Sequence, residues 1–464
     1  MSYQDFVNRK LETVAPSGLA EPFILPESLF PMQSDLVSWA LKRGRAAIFA
    51  DTGLGKTRME ISFADEVCRR TGGDVLILAP LAVAAQTVAE AEKIGIKITH
   101  CRELEDVQPG INITNYDRVH KFDASRFVGV VLDESSCIKH HTSRTFDLLV
   151  VSFLRTPYKL CATATPAPND WTELGTHAEF LGVCTRSEML AEFFVHDAGE
   201  TQTWRLKGHA RHLFWRWVSQ WGACIRKPSD LGYDDEAYRL PPLHETEHMV
   251  DVDESALITD GMLFALEASS LMERRAARKE SMDARVKACA DLVNASDEPW
   301  IIWGEYNAET QALTAMIPGA VEIAGPDDAE LKEERLADFA AGRIRVLVTK
   351  PSIAGWGLNW QHCARMAFVG VSDSFESYYQ AVRRCYRFGQ KREVQVHLFS
   401  SQLEGAVLSN LRRKEQDAVA MGEALAQETA AAVRQSIKGT ARQHNQYNAI
   451  KQVKAPSWLR SDAA

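Results

Sequence analysis

The 464-residue chain is predicted to be an α/β protein of two tandem parallel-sheet lobes, with a nucleotide site in the cleft between them, a Trp-rich helical insertion, and a C-terminal helix and tail. Three observations predict this. Short apolar runs alternate with helical stretches over residues 46–162 and again over 300–399, as in parallel sheets. A glycine-bearing loop able to cradle phosphate, Ala-Asp-Thr-Gly-Leu-Gly-Lys-Thr at residues 50–57, follows the first run of the first series only. Far down the chain, residues 380–390 read Gln-Ala-Val-Arg-Arg-Cys-Tyr-Arg-Phe-Gly-Gln. Arginines from a second lobe facing a phosphate loop imply hydrolysis in a cleft that opens and closes.

The loop is the first element. Residues 46–50 form an apolar run of the kind that makes a buried parallel strand. Gly53 and Gly55 let the backbone turn its N–H groups toward phosphate oxygens, and Asp51, Thr52 and Leu54 complete the turn. Lys56 would reach the β- and γ-phosphates, and the Thr57 hydroxyl would hold Mg2+. The helix from about Thr57 to Arg70 would add its positive end. Ala50 stands where the first glycine of the usual loop belongs.

The second element is Val130-Val-Leu-Asp-Glu134, a strand that delivers Asp133 and Glu134 to a carboxyl end, where ligands of α/β folds bind. Asp133 would hold the Mg2+, and Glu134 would polarise the attacking water.

Composition sets bounds. The length calls for two or three domains. With 45% hydrophobic and 25% charged residues, it reads as an ordinary globular protein. No run of 18 apolar residues occurs and no secretory leader is seen, so the reading is a cytoplasmic protein without membrane contact. Nine scattered cysteines without C-x-x-C favour reduced thiols over a structural zinc site. His209, His212 and Cys224 read as isolated residues. The net charge of −9 does not exclude nucleic acid, which needs only a local basic groove.

The predicted organisation is an extension (1–24), a first lobe (25–239), a second lobe (240–403), and a C-terminal helix with a polar tail (404–464). Within the first lobe, strand-like runs at 75–79, 111–114, 128–133 and 159–162 follow the loop. A Trp- and Arg-rich stretch spans 173–233; its tryptophans either pack a subdomain or stack on bases. Leu240-Pro-Pro marks the boundary. A helical lead-in (255–296) precedes runs at 300–303, 320–323, 345–349, 366–371 and 394–399. In the tail, Lys438, Arg442, Lys451 and Lys454 either contact phosphates or are simply solvated.

This ordered set of motifs, from about residue 25 to 400, resembles a superfamily-two helicase core with two RecA-like lobes, and in detail the Swi/Snf-type double-stranded-DNA translocases. Met32-Gln33 is similar to the element whose glutamine reads adenine. Residues 51–57 differ by one residue from the family's Asp-Met-Gly-Leu-Gly-Lys-Thr. Leu78-Ala-Pro80 and Ile113-Thr-Asn-Tyr-Asp117 resemble segments that touch the DNA backbone. Asp133-Glu-Ser-Ser-Cys-Ile-Lys139 is similar to Asp-Glu-Ala-His-x-Ile-Lys, with Ser135 and Ser136 in place of Ala and His. Ala162-Thr-Ala-Thr-Pro resembles the segment that couples the two activities. Ala354-Gly-Trp-Gly-Leu-Asn359 resembles Gly-Gly-x-Gly-Leu-Asn. Residues 380–390 align with Gln-Ala-x-Gly-Arg-x-x-Arg-x-Gly-Gln without a gap, with Arg383 where the family has glycine.

The resemblance implies an ATP- and Mg2+-dependent motor on double-stranded DNA, held through the backbone without sequence preference. It assigns nucleotide contacts to Gln33, residues 51–57 and Gly357, and finger arginines to Arg384 and Arg387. Coupling falls to Thr163, Thr165 and Gln380, and nucleic-acid contact to Pro80, Asn115, Tyr116, Lys139 and Asn359. Ser136 puts the strength of coupling in question. The compact chain is most similar to bacterial or bacteriophage members, whose partners would come from replication, recombination or defence. Two alternatives stand: a helicase separating strands of DNA or RNA, with single-stranded DNA or RNA as its partner, and a nucleotide-gated binding module that hydrolyses slowly.

Overall fold

The computed structural model describes residues 16–80, 83–168, 170–197, 200–250, 281–354, 359–370, 374–401 and 405–438. The first lobe is built on β1 (Arg45–Ala50), β2 (Asp74–Ala79), β3 (Ile98–His100), β4 (Ile111–Asn115), β5 (Phe127–Asp133) and β6 (Tyr158–Ala162). A hairpin of β7 (Phe194–Asp197) and β8 (Glu200–Leu206) stands apart, and β9 (Gly222–Ile225) returns to the sheet. The order is β3-β4-β2-β5-β6-β1-β9, with every pairing parallel. Successive side chains of a strand point to opposite faces, and here both faces are covered. Ala46, Ile48 and Ala50 of β1 join one apolar cluster, while Ala47 and Phe49 join the other. That double burial explains why the strand reads as a continuous apolar run.

The second lobe repeats the plan with β10 (Leu243–Val250), β11 (Trp300–Gly304), β12 (Ala320–Glu322), β13 (Val346–Thr349), β14 (Arg365–Val369) and β15 (Val394–Ser401). Their order is β10-β15-β14-β11-β13-β12, again wholly parallel. Ile301 and Trp303 face one cluster; Trp300 and Ile302 face the other. The two-lobe α/β expectation therefore holds.

Three features depart from the sequence reading or lie outside it. The stretch 173–233 is not wholly helical: it contains the hairpin and β9, whose four buried residues are too few for periodicity to tell strand from helix. Its tryptophans mainly pack. Trp215 and Trp221 are buried with Phe193, Phe194 and Phe214 beneath the first sheet, which removes those two from any base-stacking role. β10 had no signal, because as an edge strand it buries little and alternates weakly. The tail from residue 439 and most of the lead-in before residue 281 lie outside the described residues.

The C-terminal helix runs Gly405–Lys438 and links the lobes. Leu411 sits in a second-lobe cluster, whereas Leu425 and Val433 sit in the two first-lobe clusters. Arg226 pairs with Glu423 at 3.4 Å, and Arg434 donates to the carbonyl of Ser229 at 3.1 Å.

Inside the second lobe, Arg285 and Glu309 form a fully buried ion pair at 2.9 Å, joining helices Met282–Asn294 and Asn307–Met316. Glu309 also accepts from the backbone N–H groups of Glu305 and Tyr306. Glu309→Ala leaves a buried guanidinium uncompensated, and is expected to cost roughly 3–5 kcal/mol of stability. Arg285→Met/Glu309→Leu should cost clearly less. Thermal or urea unfolding of the two variants checks the difference.

Candidate nucleotide site between the lobes

The loop after β1 has the required backbone. Gly53 and Gly55 adopt φ of 89° and 85°, the left-handed region that glycine enters freely. Space also favours glycine, most firmly at Gly53, where the close atom is backbone. A Cβ on Gly53 would come within 2.9 Å of the Phe388 nitrogen, and one on Gly55 within 2.2 Å of Gln33 Nε2. Gly55 caps the helix Lys56–Thr71, so that helix points its free N–H groups into the cleft. The Lys56 ammonium donates to the Ala50 carbonyl at 3.0 Å.

A cleft of about 1080 Å³ opens beside the loop. Gln33, Gly53, Gly55, Thr57 and Arg58 line it from the first lobe; Asn359, Gln361, Arg387 and Phe388 line it from the second. Sequence reasoning missed an aromatic group at its edge. Phe30, Tyr238 and Phe388 have ring centroids 5.3–6.0 Å apart, and nothing in the motifs signals them. The Gln33 amide is engaged in holding the loop: its oxygen accepts from Phe30 N at 3.0 Å and its nitrogen donates to the Leu54 carbonyl at 2.9 Å.

Electrostatics are unbalanced on both sides of the site. Asp133 and Glu134 are buried at the end of β5, near the equally buried Glu60. Burial and the Glu134 charge push the Asp133 carboxyl up to about 7, and burial beside Asp133 pushes Glu60 well above the usual carboxylate range. Glu134 Oε2 has no hydrogen-bond partner among the described residues. Opposite them, burial lowers the Arg384 guanidinium. Burial, with Arg384 beside it, pushes Arg387 down to about 9. A cation would relieve the crowded acids, and a polyanion would relieve the crowded arginines. A magnesium–triphosphate complex fits both deficits.

The two lobes also touch directly. The Tyr379 hydroxyl donates to Asp51 Oδ1 at 2.5 Å, and Arg383 stacks over the Tyr379 ring at 5.0 Å with its guanidinium 3.9 Å from Asp51 Oδ2. Burial opposes the Asp51 charge, but Arg383 and Tyr379 outweigh it and hold the carboxyl below its ordinary range. The extra base at position 383 thus contributes to a latch across the cleft. Tyr379→Phe removes its charge-assisted bond and is expected to raise the KM for ATP roughly tenfold. ATP titrations of hydrolysis check it, with an interlobe fluorescence pair reporting opening.

The remaining candidates divide. Thr163 is buried and Thr165 N donates to its hydroxyl at 3.1 Å; Thr165 itself faces a cavity between the lobes with Asp51, Arg226 and Tyr379. Gln380 accepts from Arg384 at 2.8 Å, fixing that guanidinium. Pro80 is half-buried at the end of β2. Three candidates for nucleic-acid contact have other engagements. Asn115 is 5% exposed and caps the turn at Arg118. The Tyr116 hydroxyl donates to the Asp133 carbonyl at 2.6 Å. Lys139 pairs across the cleft with Glu376. Short polar residues after a strand serve as caps and braces as readily as they meet phosphate. Gly357 lies outside the described residues.

Two parallel-sheet lobes thus face each other across a cleft lined by the glycine loop. A family model described as "SNF2-related domain" matches residues 32–194, and one described as "Helicase conserved C-terminal domain" matches 285–389, together more than half of the chain. The chain thus carries the two domains of a Swi/Snf-like helicase core, and with them the class of helicase-type ATP hydrolase. Among solved structures, it is similar to the Sulfolobus solfataricus SWI2/SNF2 ATPase core in complex with dsDNA, at 15% identity and a TM-score of 0.40, over 90% of this chain and 98% of that one. No curated protein matches the sequence. No described helix is long and apolar enough to cross a membrane.

Proposed function

We propose that the chain is a motor that hydrolyses ATP to move along double-stranded DNA, gripping the backbone rather than reading sequence. The observation that carries the reading is the placement of Arg387 in the same cleft as the phosphate loop, since hydrolysis at such a site changes how the lobes attract each other. Lys56 and the N–H groups of residues 53–57 bind the triphosphate. Asp133 and Thr57 would hold a magnesium ion, which would neutralise phosphate charge. Glu134 orients and deprotonates the attacking water. Arg384, held by Gln380, and Arg387 stabilise charge on the phosphoryl group as it leaves. Phe30, Tyr238 and Phe388 supply flat apolar surface for the base.

Closure with triphosphate and release after hydrolysis alternate the grip of the two lobes on the duplex. The preference for duplex rests on the SNF2-related family match. Hydrolysis should be measured alone and with duplex DNA, single-stranded DNA or RNA, with Lys56→Ala as the blank. Stimulation by duplex supports the translocase. Preference for a single strand moves the reading to strand separation, and indifference to all three overturns the motor.

A further inference from the structure

Glu134 is the one non-glycine residue with positive φ among the described residues, at φ 51° and ψ 53°. A side chain in that left-handed conformation is strained, and persists only where its surroundings impose it. Two hydrogen bonds flank it. On one side, the Tyr116 hydroxyl donates to the carbonyl of Asp133. On the other, Ser135 Oγ and His177 Nε2 form a hydrogen bond of 3.0 Å, with both residues fully buried. His177 lies on the helix Leu174–Leu181 and packs edge-on against Phe49 of β1, with ring centroids 5.2 Å apart, so its ring is itself fixed.

Both Ser135 and Ser136 stand where the resembling motif has Ala and His. Ser136 is buried, and its hydroxyl has no partner among the described residues, so it cannot take over the missing imidazole's contacts. The buried imidazole beside this turn comes instead from a helix 41 positions further along the chain.

We infer that His177 is a positioning residue: through Ser135 it holds the left-handed turn that aims the Glu134 carboxylate at the attacking water. It acts on the geometry of hydrolysis and not on nucleotide binding. Burial keeps the imidazole neutral, pushed down to about 4, so the bond does not switch near neutral pH. The inference rests on Glu134 serving as the base.

The test compares Ser135→Ala, His177→Leu, their double variant, and His177→Gln, whose amide reaches the position of Nε2. Each is assayed for kcat and KM for ATP with saturating duplex DNA, alongside thermal unfolding. The expected result is a fall in kcat of about tenfold for Ser135→Ala and for His177→Leu, with KM within twofold. The double variant should be no worse than either single one, and His177→Gln should recover most of the rate. Folded Ser135→Ala protein with the wild-type kcat overturns the inference. So do losses that add in the double variant, or a His177→Gln no better than His177→Leu. Glu134→Gln separates the two levels. If it keeps its activity, the reading of the base fails and the inference with it. If it is inactive while Ser135→Ala is not impaired, only the inference fails.

Discussion

Arg387→Ala is expected to lower the ATP hydrolysis rate by about 10³-fold or more while weakening nucleotide binding far less. Arg387 comes from the second lobe yet lines the cleft beside the phosphate loop, half-buried and close to the fully buried Arg384. Two neighbouring guanidinium charges repel, and in the proposed mechanism the phosphoryl group in transit relieves that repulsion. The interaction therefore strengthens as charge develops, which is the condition for lowering a barrier rather than merely binding substrate. Arg387→Lys should not restore the rate, because an ammonium lacks the planar fork. Single-turnover hydrolysis and binding of a fluorescent ATP analogue separate the two effects. Equal losses in both would show that Arg387 only binds.

The second large effect is expected at Glu134. Glu134→Gln preserves volume but removes the carboxylate proposed as the base, and should reduce kcat by about 10²- to 10⁴-fold. ATP binding should be kept or slightly improved, since one of several crowded buried negative charges is lost next to a triphosphate. The variant should therefore accumulate in the ATP-bound state with its lobes closed. Nucleotide retention on a desalting column, together with the interlobe fluorescence signal, checks this. A variant that turns over within tenfold of wild type would move the base elsewhere.

The chain reveals its site unevenly for physical reasons. Gly53, Gly55, Lys56 and Thr57 are legible because a phosphate-cradling turn is local: its conformation and its ligand groups lie within a few residues. Asp133 and Glu134 are legible because an apolar strand ends on them. Arg384 and Arg387 could be read only through a resemblance, since nothing local distinguishes them from surface arginines. Tyr379, Phe30, Tyr238 and His177 could not be read at all. Each acquires its meaning from a partner far away in sequence, such as Asp51, 328 positions from Tyr379. The partners that Asn115, Tyr116 and Lys139 have in the fold have the same origin: the motif specifies residue types, while Arg118, Asp133 and Glu376 come beside them only once the chain is folded.

The helix Gly405–Lys438 has a mechanical consequence. A helix is a nearly inextensible rod, rising 1.5 Å per residue. Leu411 anchors it in one lobe's core and Leu425 in the other's, so about 21 Å of rigid rod separates the two anchor points. The segment following β9 joins the same two bodies at a second place. Two bodies joined by a flexible tether can drift apart in any direction. Joined by a tether and a strut, they are left mainly with rotation about the line through both attachments. A relative motion of the two lobes is then expected to be a swivel about that line, limited by how far the strut can tilt before Leu425 and Val433 are pulled from the first lobe.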